Sequence, residues 1–141
     1  MGFFKDLKNK VTGGAATVTL QMPQQAQRGQ GVQVQVQATA KANGKATAVY
    51  LLVRATESCE WKNGSEKIGN SKTSYENRIQ VAGPQDLKEG ETYNWAGLIE
   101  LPVSAYPSLR GSLIEHSWEV QAGLDMPGND PDSGWQKLEV R

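Results

Sequence analysis

His116 is the only histidine in the chain and Cys59 the only cysteine, so any nucleophilic or metal chemistry has to pass through very few side chains. A Ser-His-Asp hydrolase would have to use His116. That residue falls in an alternating run in which Ile114, His116, Trp118, Val120, Ala122 and Leu124 point one way and Glu115, Ser117, Glu119 and Gln121 the other. The pattern predicts a long strand with one buried face, and no glycine-flanked serine elbow stands nearby. His116 therefore reads as a satisfied core or rim histidine. Cys59 follows a strand end and has only His116 to serve as its base. One cysteine and one histidine cannot supply a zinc site.

Oxygen chemistry has one candidate, the loop 125–134 (DMPGNDPDSG), which runs from Asp125 to Gly134. Asp125, Asp130 and Asp132, with Asn129, can offer ligands to calcium. Pro127 and Pro131 interrupt the spacing an EF-hand loop needs, and a turn in which Asp and Asn bond their own backbone uses the same residues. Trp61, Trp95, Trp118 and Trp135 could form a sugar-binding platform, but Trp118 is placed inward and Trp95 lies in an apolar strand, so core packing accounts for them better. No glycine-rich, phosphate-cradling loop precedes a helix. The residues thus name no catalytic group and no cofactor.

The elements that must position these side chains follow from composition and period. The chain has 141 residues, room for one domain. Its 15 Lys plus Arg against 15 Asp plus Glu leave no field to collect nucleic-acid phosphates. No apolar run approaches the length of a membrane span, and the reading is of a soluble domain. At the N-terminus Phe3, Phe4, Leu7 and Val11 fall at helical spacing, which predicts a short amphipathic helix over 1–12 ended by Gly13-Gly14. Lys5, Asp6, Lys8 and Lys10 break any secretory h-region. Phe3, Phe4 and Leu7 either dock on the domain's own sheet or form a basic anchor for a membrane surface or a partner groove.

From Ala15 the period becomes 2. Ala16 to Met22, Val32 to Ala40, Ala46 to Thr56, Thr73 to Val81, Thr92 to Leu101, Leu113 to Leu124 and Leu138 to Val140 read as strands. Asn43-Gly44 predicts a tight hairpin joining the second strand to the third, and Asn63-Gly64 and Gly69-Asn70 break the middle of the chain into short pieces. Seven or eight strands over 13–141 and no crossover helices imply an all-β fold of two antiparallel sheets packed face to face, with a closed barrel as the alternative. From Gly29 to Ala40 no residue is charged, and the polar face is Gln33, Gln35, Gln37 and Thr39. An uncharged strand is a liability on an exposed edge. Either it is central, or its edge is covered by another chain, including a second copy in a homodimer.

The stretches FFKDLKNKVTGGAATVTL (3–20), GVQVQVQATA (31–40), AVYLLVRA (48–55), LKEGETYNWAGLIELP (87–102) and HSWEVQAGLDMPGNDPDSG (116–134) together resemble the bacterial sporulation-control proteins of the arrestin-like clan. The resemblance implies an immunoglobulin-like, arrestin-type sandwich that works in the cytoplasm and binds proteins without catalysis. Members of that family carry further sequence after the first sandwich, whereas this chain ends at Arg141, and the charged core that holds arrestins inactive has no counterpart to transfer. The expectation is a non-enzymatic protein-interaction or regulatory domain acting on another protein, with Phe3, Phe4, Leu7, Gln33, Gln35 and Gln37 as interaction candidates. The alternative is a small-ligand or calcium-binding β-sandwich that uses Asp125, Asp130 and Asp132.

Overall fold

The computed structural model describes residues 14–141. The helix expected over 1–12, with Phe3, Phe4 and Leu7, lies outside the described residues. Within them all regular structure is β-strand: β1 (Ala16–Gln21), β2 (Gln25–Ala26), β3 (Gly31–Ala40), β4 (Gly44–Ala46), β5 (Ala48–Asn63), β6 (Glu66–Ala82), β7 (Gln85–Leu87), β8 (Thr92–Glu100), β9 (Leu109–Arg110), β10 (Ile114–Asp125) and β11 (Gln136–Val140). The expected seven or eight strands become eleven because β2, β4, β7 and β9, of two or three residues each, are too short to show a period. No helix among the described residues is long and apolar enough to cross a membrane.

The strands form three sheets. One has the order β1-β3-β8, a second the order β2-β11-β10-β5-β6 with β9 also on β10, and a small third pairs β4 with β7. Pairing is antiparallel except between β2 and β11. In β3 the alternation is realised residue by residue, with Val32, Val34, Val36, Ala38 and Ala40 buried. Val18, Leu20, Val34, Val36 and Ile99 from the first sheet join Val49, Leu51, Val53, Trp118, Val120 and Leu138 from the second in one buried cluster. Each such aliphatic side chain removed from water contributes about 1.5–3 kcal/mol, so the two inward faces stabilise one another.

Two expectations change. The Asn43-Gly44 hairpin between β3 and β5 does not form. Such a turn needs positive φ at its central residues, yet Gly44 is not among the residues with positive φ. Asn43 instead accepts the Glu89 N–H at 2.9 Å, and the chain crosses to the other sheet through β4. The middle of the chain is not broken into short pieces. Gly64, at φ 69°, supplies the first loop position of a tight turn, and β5 and β6 form a hairpin whose ladder holds Gly69 opposite Glu60 and Asn70 opposite Cys59. Of the two placements left open for the uncharged strand, the structure has the central one: both sides of β3 are hydrogen-bonded within the chain. Gln33, Gln35 and Gln37 therefore lie on the exposed face of that sheet. There Gln37 donates to Asn94 at 3.2 Å, and the hydroxyls of Thr39 and Thr92 lie 3.0 Å apart.

Candidate functional site

The inward row of β10 outruns the core. Trp118 is 1% exposed and His116 7%, but Ile114, next in the row, is 51% exposed. The expectation that Ile114 is buried fails because the shared hydrophobic cluster stops short of it. Two hollows open on this uncovered stretch, of about 370 and 480 Å³, and both are lined by Glu57, Lys72, Leu109 and His116. Cys59 and Ile114 line the first, Ser74, Tyr106 and Pro107 the second. Tyr106, Leu109, Leu113 and Ile114 are exposed apolar residues, so an apolar rim runs beside a polar floor.

At the inner end of this groove His116 uses both ring nitrogens. Nδ1 lies 2.9 Å from the carbonyl oxygen of Pro107, and Nε2 lies 2.6 Å from the Ser74 hydroxyl. The ring also meets Tyr106 and Trp118 edge-on, each at 6.0 Å. Ser74 reaches it through a β-bulge. Thr56 pairs with Thr73 and Ala55 with Tyr75, which leaves Ser74 as the extra residue. A bulge kinks its strand and re-aims a side chain, and here Ser74 turns toward His116 while Tyr75, beside it, packs against Trp118 with ring centroids 5.1 Å apart. Cys59 is a free, half-buried thiol opposite Ile114, whereas His116 stands opposite Glu57.

Sequence reasoning missed Ser74, which lies 42 residues from the histidine it touches. A signal did exist. In β6 the apolar residue near the turn is Ile68, at an even number, while Tyr75, Ile79 and Val81 are odd; such a change of parity marks one inserted residue.

The carboxylates of the loop 125–134 are divided among separate tasks. Asp125 pairs with Arg78 at 3.4 Å. Asp130 accepts the Tyr50 hydroxyl at 2.8 Å and the Met126 N–H at 3.1 Å, while Asp132 accepts the Gly134 N–H at 2.8 Å. Among the described residues no three His, Cys, Asp or Glu side chains are grouped to hold a metal ion. The segment works as a clasp that fastens the end of β10 to Tyr50 of β5. Nor do the tryptophans share a platform. Trp118 is in the core, Trp95 stacks on Tyr93 at 6.1 Å, Trp135 lies under the Arg54 guanidinium at 3.8 Å, and Trp61 is exposed on the β5–β6 hairpin.

The clasp has a pH signature. Burial, then the hydrogen bond and charge of Asp130, hold the Tyr50 phenol well above its ordinary value of 10.0, against a smaller opposing pull from Arg78. Raising the folded-state value favours the protonated form, so this contribution is complete below the unfolded value and is lost as the pH rises above it. Urea midpoints are expected to fall above about pH 10, and Tyr50→Phe should flatten that fall. An equal slope in wild type and variant would show that Tyr50 does not carry it.

No protein-family model matches the sequence, nor does any curated protein. Among solved structures the chain is similar to the sporulation control protein Spo0M of Bacillus subtilis, with a TM-score of 0.67 over 91% of this chain. The fold is similar to that of a sporulation control protein. At 20% identity the likeness concerns the backbone, and the chain spans about half, 50%, of the Spo0M chain.

Proposed function

We propose that this is a non-enzymatic protein-interaction or regulatory domain, an immunoglobulin-like sandwich of the arrestin type that acts in the cytoplasm by binding another protein. The observation that carries the reading is the apolar rim of the groove. Tyr106, Leu109, Leu113 and Ile114 are exposed where the buried face of the larger sheet runs past its cover, and contiguous exposed apolar surface marks interaction sites. The fold likeness to Spo0M agrees with a regulatory role. Among the described residues strand β6 borders the same groove as the outer strand of its sheet, so an extended partner segment would find a strand edge and apolar pockets there.

The test is affinity capture with the full chain as bait against a Leu109→Asp, Ile114→Asp double variant. Both residues are exposed, so the melting temperature should stay within a few degrees of wild type. Proteins captured by wild type should be lost from the variant by tenfold or more, the loss of about 1.4 kcal/mol or greater that an apolar anchor supplies. An identical set captured by both would remove the groove as the binding surface.

A further inference from the structure

The Ser74–His116 pair has an arrangement that packing alone does not require. The carbonyl of Pro107 can only accept, so the 2.9 Å contact places a ring hydrogen on Nδ1, and in the neutral imidazole the Nε2 lone pair then faces the Ser74 hydroxyl at 2.6 Å. The other acceptor within reach of that hydroxyl, the Ala55 carbonyl, is farther away at 3.2 Å. A hydroxyl against an imidazole whose far nitrogen is held by a third group is the geometry of an activated nucleophile. The base is 7% exposed, whereas Ser74 itself is exposed on β6 and faces the hollow lined by Tyr106, Leu109 and Lys72. A reagent can therefore reach the nucleophile while its base stays sheltered.

We propose that Ser74 is a covalent acylation site that accepts an acyl group from an activated ester or thioester seated in this groove. In the step, a bond forms from Ser74 Oγ to the acyl carbonyl carbon as the donor's C–O or C–S bond breaks. The hydroxyl proton passes to Nε2 of His116 and from there to the departing alkoxide or thiolate. The products are an O-acylserine and an alcohol or thiol. Tyr106 and Leu109 offer apolar contact to the acyl chain, and Lys72 is a cation on the same wall for the charge that develops on the carbonyl oxygen. The event is stoichiometric, a mark placed at the groove, and it goes beyond the binding role without depending on it.

The experiment treats the full chain with p-nitrophenyl acetate, measures released p-nitrophenolate, and locates the acetyl group by peptide mass spectrometry. Ser71, exposed on the same strand, is the internal control. One acetyl per chain is expected on Ser74, formed at least about 100-fold faster than on Ser71, the scale of general-base assistance. Ser74→Ala should abolish this phase and Ser71→Ala should leave it unchanged; Ser71 is exposed, so Ser71→Ala should melt like wild type, while Ser74→Ala, which takes the partner from His116 Nε2, should melt somewhat lower and remain folded at the assay temperature. The same experiment with an acetyl thioester should place its label on the same residue. Acetyl groups spread over surface lysines and serines without preference for Ser74, or a phase that survives Ser74→Ala, would overturn the proposal, whichever proteins the groove binds.

Discussion

Trp118→Ala is expected to lower the unfolding free energy by about 3–5 kcal/mol, the range for removing a large aromatic side chain from a core. The residue is 1% exposed in the middle of the larger sheet, with Ala55 of β5 on one side and Leu138 of β11 on the other. Its ring packs on Tyr75 and meets His116 edge-on. Its Nε1–H donates to the Tyr106 carbonyl at 2.7 Å, so the substitution leaves a cavity and takes a partner from a carbonyl, which adds to the cost. Against a total stability of about 5–15 kcal/mol the loss would lower the melting temperature by about 10–20 °C. Urea titration followed by circular dichroism measures it directly. A loss below about 1 kcal/mol would mean that the ring is not what joins the two sheets.

Gly123→Ala should be the next most damaging change tested in β10. A Cβ at this position would lie 2.5 Å from the Tyr50 ring carbon and hydroxyl. Tyr50 cannot swing aside freely, because Asp130 holds its hydroxyl and the Arg78 guanidinium lies 4.0 Å above the ring. Overpacking of this kind costs about 1–3 kcal/mol, against the usual gain of alanine over glycine inside a strand. The diagnosis is tested by a double-mutant cycle: in a Tyr50→Ala background the added methyl has room, and most of its cost should disappear. Strictly additive losses would show that some contact other than Tyr50 limits this position.

How far the sequence speaks for itself depends on whether a property is local. The sidedness of β1, β3 and most of β10 was legible, because a two-residue period is written into the strand. Partnership was not. Val32 to Ala40 carries no record that its neighbours are β1 and β8, and Asn43-Gly44 looks like a hairpin turn whether or not its backbone adopts one. Of the site, His116 and its inward placement were legible. Ser74 was hidden behind a bulge that shifts one strand of a pair, and Ile114 behind a cover that ends too soon. Asp125, Asp130 and Asp132 show the same limit: the carboxylates were visible in the loop, but the Arg78, Tyr50 and backbone groups that take them up arrive from elsewhere in the chain.

The central position of β3 has a consequence for how the chain is made. Thr39 meets its partner Thr92 across 53 residues, and at a ribosomal pace of about 5–20 residues per second that separation lasts about 3–10 s. During this interval β1 and β3 can pair, as can β5 and β6, which need only a tight turn. The far side of β3 stays open, and neither β1 nor β3 carries a charge to discourage a neighbouring nascent chain. Crowding of ribosomes on one message therefore threatens this protein chiefly before Thr92 emerges, and the arrival of β8 closes the hazard.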